Sequence, residues 1–182
     1  MTLNKEMLEK VRREMTTFIE TGTYLGGGVD AALQAGFTDI HSIESNIEYY
    51  NNCVLKYKNN PNVRLYNMQS SEGLEVILKT VNRTSLFWLD AHYDPFSADP
   101  NNSGNEKEPL LSELTVIQNH CINTHTIMID DRRMFDDNDG IWKIVKETDV
   151  LSKIKELNPN YKISYRDSLN FVSDIILAEV YV

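Results

Sequence analysis

The chain has 182 residues, 41% of them hydrophobic and 25% charged, which suits one domain with a sizeable core. A net charge of -9 argues against a nucleic-acid partner, because neutralising a phosphate backbone requires a basic face. Cys53 and Cys121 lie far apart with no C-x-x-C, and there is no apolar leader or membrane-length run, so the expectation is a reduced, intracellular, cytoplasmic protein that does not enter a membrane.

In chain order, Asn4 to Met15 reads as a polar helix whose Met7, Leu8, Val11 and Met15 form one apolar stripe, either a cap over the sheet edge or a lid. A strand from Thr17 to Glu20 leads into a Gly-rich turn and a helix ending near Ala35, with Gly36 as its stop. A second strand spans Asp39 to Ile43, a helix Ile47 to Tyr57, and a third strand Val63 to Tyr66. Ser70-Ser71-Glu72 opens a helix placed at Gly73 to Val81. Ser85 to Leu89 is almost wholly apolar, as in a strand buried on both faces. Residues 95–107 form a long polar loop, and Pro109 begins a helix carrying Leu110, Leu111, Leu114 and Ile117. A fifth strand spans Thr126 to Ile129. Ile141 to Thr148 and Val150 to Leu157 read as helix in two pieces, and Tyr161 to Tyr165 and Asp174 to Val182 as a closing strand pair. The pattern supports an α/β sheet with a closing hairpin, in a single domain over 1–182 with residues 1–15 as an N-terminal helix.

The most informative stretch is Glu20-Thr21-Gly22-Thr23-Tyr24-Leu25-Gly26-Gly27-Gly28, a strand end, a Gly-rich turn and a helix start. Such a turn makes a nucleotide-type pocket at the carboxyl edge of a parallel sheet. Glu44 ends the second strand about twenty residues beyond the first glycine, where this kind of fold sets a carboxylate on ribose hydroxyls. The spacing G-x-x-x-G-G-G is not that of a dinucleotide fingerprint, and suits a ligand with a ribose and an amino-acid tail.

With Glu44 behind it, the stretch Glu20 to Gly26 resembles motifs I and II of class I S-adenosylmethionine (SAM) dependent methyltransferases. The resemblance covers nearly the whole chain and is closest to the small metal-dependent O-methyltransferases, the catechol and macrolide-sugar group. It implies a Rossmann-like three-layer α/β sandwich, with a mostly parallel seven-stranded sheet in the order 3-2-1-4-5-7-6. It also implies a cofactor site of Glu20, Gly22, Thr23, Tyr24, Gly26, Glu44, Ser45, Gln69, Ser70 and Asp90. Gln69 stands where the family often has an acid facing adenine; its side-chain carbonyl can accept in that place.

Acids also end the fourth and fifth strands, at Asp90 and at Asp130-Asp131. Adjacent strands bring such carboxylates together, and oxygen-only ligands suit Mg²⁺ or Mn²⁺. The resemblance makes Asp90, Asp130 and Asp131 the metal ligands; the competing reading has Arg132 or Arg133 pairing with the aspartates. Asp90 and His92 are the candidate catalytic residues, His92 as the base that takes a hydroxyl proton and Asp94 behind it. Tyr93, Phe96, Phe135 and Trp142 are candidate walls for the acceptor, Trp88 a core residue, and Glu113 an inward-facing acid. The expected activity is methyl transfer to a hydroxyl of a sugar, glycan or other small molecule, aided by a divalent cation. The alternatives are a metal-independent methyltransferase using His92 and a SAM- or nucleoside-binding module without catalysis.

Overall fold

The computed structural model describes residues 3–91, 109–135 and 145–181. Its elements are α1 (Lys5–Arg12), β1 (Thr17–Thr21), α2 (Gly27–Gln34), β2 (Asp39–Ile43), α3 (Ile47–Tyr57), β3 (Val63–Tyr66), α4 (Ser70–Leu78), β4 (Leu86–Leu89), α5 (Leu110–Gln118), β5 (Thr126–Ile129), a 3-10 turn (Arg132–Met134), α6 (Glu147–Leu157), β6 (Lys162–Arg166) and β7 (Ile175–Glu179). The strands form one seven-stranded sheet in the order β3-β2-β1-β4-β5-β7-β6. Strands β1 to β5 run parallel, and β7 lies antiparallel between β5 and β6. This is the expected order.

Alternation along the central strands divides the core in two. Ile19, Phe87 and Ile127 face one side, where they meet Leu74 of α4, Leu114 of α5 and Ile154 of α6. Phe18, Leu86, Trp88 and Met128 face the other, against Leu8 of α1, Val29 of α2 and Tyr57 of α3. Trp88 is therefore core, as expected. Each large apolar side chain buried in this way contributes about 1.5–3 kcal/mol before chain entropy is counted. The N-terminal helix packs Leu8 and Val11 on the second layer, so its apolar stripe covers the sheet.

Several boundaries differ from the sequence reading. Helix α4 starts at Ser70, three residues early, because Glu72 in its first turn favours the helix dipole. Gly73 is then interior, a cost of about 1 kcal/mol, offset by burial of Leu74, Ile77 and Leu78. Helix α6 is continuous through Asp149, which sits with Glu147 in its first turn, where negative charge is stabilised. Pro109 precedes α5 rather than starting it, and α1 ends at Arg12. No helix among the described residues is long and apolar enough to cross a membrane.

Candidate functional site

The crevice forms where the strand order reverses, between the carboxyl ends of β1 and β4. Strand β1 ends at Thr21, and Gly22 turns the chain with φ +84°. A Cβ on Gly22 would stand 2.2 Å from the Asp90 carbonyl oxygen, so only glycine lets the two strand ends meet so closely. The backbone N–H groups of Gly22 and Thr23 both donate to the Ile43 carbonyl, at 3.0 and 3.2 Å. The turn is thus tied to β2 as well as to β4.

Beneath the turn lies a buried polar chain. Ser42 Oγ donates to Glu20 Oε2 at 2.5 Å, and Thr23 Oγ1 lies 2.6 Å from Ser42 Oγ. Ser42 has one proton, so Thr23 is the donor in the second contact. Burial pushes the Glu20 carboxyl up to about 8; the Ser42 hydroxyl pulls against this, and the charges of Asp90, Glu44 and Asp30 add to it. A Cβ on Gly28 would fall 1.7 Å from Glu20 Oε1, so the helix start rests directly on this carboxyl. Glu20 and Thr23 therefore brace the turn from below, and their side chains point inward.

Glu44 is the acid at the mouth. Its Oε2 accepts from the Tyr24 N–H at 2.7 Å and its Oε1 from the Asn46 N–H at 2.8 Å. Burial raises its pKa, and these backbone donors oppose the rise. With the Ser45 N–H as a third backbone donor, the carboxylate keeps part of its accepting capacity for a bound hydroxyl. Asn67 Nδ2 donates to the carbonyls of Glu44 and Ser45, at 2.8 and 3.2 Å, and fixes the segment that follows. Tyr24 is exposed, with its ring edge-on to Tyr49 at 4.8 Å.

Helix α3 clamps the turn from the side. Tyr57 Oη lies 2.5 Å from the Gly26 carbonyl and 2.8 Å from Asp30 Oδ1. Lys56 Nζ donates to the Leu25 carbonyl at 3.0 Å and to Asp30 Oδ2 at 2.6 Å. At the end of β3, Gln69 precedes α4 and Ser70 lies in its first turn. Ser70 Oγ is buried and has no hydrogen-bond partner among the described residues. A buried hydroxyl in that state costs about 1–3 kcal/mol unless a bound group satisfies it. Remaining accepting capacity on Glu44 and the unused hydroxyl on Ser70 are thus open to a bound polar group.

A second pocket adjoins the ends of β4 and β5, lined by Asp90, Leu110, Glu113, Asp130, Asp131 and Phe135 among others. Glu113 is buried in it, facing inward as expected. The expected metal ligands do not form one set. Among the described residues, the only acidic group tight enough for a cation is Asp130, Asp131 and Asp174, with ligand atoms within 4.8 Å of one another; Asp90 is outside it. Arg133 already engages this group. Its Nη1 donates to Asp131 Oδ1 at 2.5 Å and also to Asp174 Oδ2, and its backbone N–H donates to Asp174 Oδ1 at 3.1 Å. Of the two readings of the paired aspartates, the arginine pairing is the one present. Arg133 occupies two of the three carboxylates, and its positive charge stands where a divalent ion would share their oxygens, so the ion does not fit while the arginine is there.

The crevice brings together Glu20, Gly22, Thr23, Tyr24, Gly26, Glu44 and Asp90; Ser45, Gln69 and Ser70 continue it along β2 and β3. His92, Tyr93, Asp94, Phe96 and Trp142 lie outside the described residues. The sequence reading missed Ser42, Tyr57 and Lys56, and it missed Asp174 as the partner of Arg133. Only the register of β7 beside β5 gives Asp174 its place.

No protein-family model matches the sequence, and no curated protein matches it. Solved structures do match. An O-methyltransferase from Bacillus cereus in complex with S-adenosylhomocysteine (SAH) aligns over 97% of this chain and 78% of its own, with a TM-score of 0.64 and 11% identity. The SAH-bound methyltransferase PaMTH1 of Podospora anserina aligns over 97% and 76%, with 0.58 and 14%. The chain has the fold of these methyltransferases. Spermidine synthase from Thermotoga maritima shares it too, over 98% of this chain and 60% of that one, with a TM-score of 0.61 and 11% identity. At such identities the match speaks for the fold, and function has to be argued from the site.

Proposed function

We propose that this protein is a SAM-dependent O-methyltransferase that methylates a hydroxyl of a sugar, glycan or other small molecule. The observation that carries the reading is the crevice itself: Gly22 turns at the reversal point of the sheet, Glu44 follows the neighbouring β2 with accepting capacity left, and Ser70 follows β3. The SAH complexes of proteins with this fold support the choice of cofactor. When bound, SAM supplies an electrophilic methyl group on a sulfonium.

The chain's residues supply the rest. Glu44 accepts from the ribose hydroxyls, and Ser70, with Gln69 before it, meets the adenine side. The turn from Gly22 to Gly26 holds the amino-acid end, braced by Glu20 below and clamped by Tyr57 at its side. Its rigidity aligns the methyl group with the acceptor. The hydroxyl proton is assigned to His92, two residues beyond Asp90, with Asp90 orienting the acceptor. The polar composition of residues 95–107 favours a polyhydroxyl acceptor over a flat phenol. The expected Mg²⁺ or Mn²⁺ is not part of this reading, because Arg133 engages the aspartates that would hold it.

The test is transfer of labelled methyl from SAM to a panel of sugars, nucleotide-linked sugars and simple phenols, with His92→Ala alongside. Label on a hydroxyl acceptor, lost in the variant, is expected. Tight SAM binding without turnover on any acceptor would favour a non-catalytic module instead.

A further inference from the structure

The acidic pocket at the end of β5 carries its own positive charge. Asp131 follows the strand with φ +56°, a left-handed conformation that a non-glycine residue adopts at a cost. That turn starts the 3-10 segment and returns Arg133 toward Asp131 and Asp174. Both oxygens of Asp174 accept from Arg133, one from its backbone N–H and one from Nη1, and the Asp174 side chain is 0% exposed. The Arg133 guanidinium also lies over the Phe171 ring, 4.3 Å from its centre. The neighbouring Arg132 is held elsewhere, by Glu147 at 2.9 Å and over the ring of Tyr165.

We infer that Arg133 is the fixed cation of this site, and that the group Asp130, Asp131 and Asp174 takes no divalent metal while the guanidinium is there. A hard cation needs oxygen ligands at about 2.0–2.6 Å, and a guanidinium hydrogen-bonded to the same carboxylates repels it at that range. Here it would have to remove Arg133 from two carboxylates and leave a partly buried guanidinium without its partners. The charge assignment stands apart from the methyl-transfer reading. Its consequence rests on that reading: the acceptor hydroxyl is deprotonated by a protein base, with no metal held by Asp130, Asp131 and Asp174 to lower its pKa.

The test is Mn²⁺ titration of the full chain by electron paramagnetic resonance, on the parent, Asp131→Asn, Arg133→Ala and Arg133→Lys. Parent and Asp131→Asn are expected to give coincident curves, and Arg133→Ala to gain a saturable site that Arg133→Lys does not. A parent site lost in Asp131→Asn overturns the inference, and that comparison holds even if Arg133→Ala fails to fold. A folded Arg133→Ala that gains no site also overturns it. The readout is metal binding, so failure of the methyltransferase reading, seen as absence of SAM binding, is a separate result.

Discussion

Replacing Glu20 with Gln removes one ionisation from beneath the glycine turn and little else. The side chain is 2% exposed, and among the described residues it accepts a hydrogen bond from Ser42, which a Gln carbonyl can accept equally well. Burial pushes the folded carboxyl up to about 8, from an ordinary value of 4.5. The native state therefore binds more protons than the unfolded state between these values, and stability contributed by Glu20 is present below the lower one and lost as pH rises through the upper. At about 1.4 kcal/mol per pH unit, the difference corresponds to at most roughly 5 kcal/mol. Urea unfolding at pH 5 and at pH 9 measures it. The Gln variant is expected to lack this fall, and to be more stable than the parent at pH 9. Parallel profiles for the two proteins would refute the claim that burial keeps Glu20 protonated.

Other outcomes follow from the same structure. His125 gives an opposite pH dependence: burial first, and the charge of His120 second, depress its pKa to about 3, so stability is lost as pH falls below the ordinary value near 6.5. Its Nδ1 accepts from the Ser85 N–H at 3.1 Å and its Nε2 lies 2.9 Å from His120 Nδ1. His125→Leu is expected to cost about 1–3 kcal/mol at pH 7 through the unpaired Ser85 N–H, and to flatten the acid limb in unfolding experiments. Gly22→Ala places a methyl group against the Asp90 carbonyl at a positive φ. It should cost about 1–3 kcal/mol in backbone strain alone and abolish SAM binding, checked by urea midpoint and calorimetry.

Much of the fold was legible because burial leaves a mark on composition. Leu86-Phe87-Trp88-Leu89 is apolar on both faces, as a strand between two helical layers must be. Glu44 was legible because a strand end and a helix start fix where its carboxylate stands. The brace under the turn was not: Ser42 looks like any polar residue in an alternating strand until β1 and β2 pair in register, Glu20 beside Ser42. The acidic pocket was read halfway. Asp130-Asp131 after a strand pointed to a charged site, and Arg133 was one of two candidate partners. Asp174, however, is 41 residues from Arg133 and reaches it only because β7 returns antiparallel beside β5. The described part of α6 begins at Glu147 and α4 at Ser70, each where first-turn acids meet the helix dipole; Val145 and Lys146 lie outside the helix expected there, and 141–144 are outside the described residues.

The most direct test of the account is calorimetric titration of SAM into the parent and into Glu44→Ala. Saturable one-to-one binding by the parent is predicted. Loss of the ribose acceptors should weaken binding in the variant by roughly tenfold or more, since a hydrogen bond to a charged group is worth about 1.5–3 kcal/mol. No binding by the folded parent, or equal affinity in the two proteins, would contradict the assignment of the crevice to SAM.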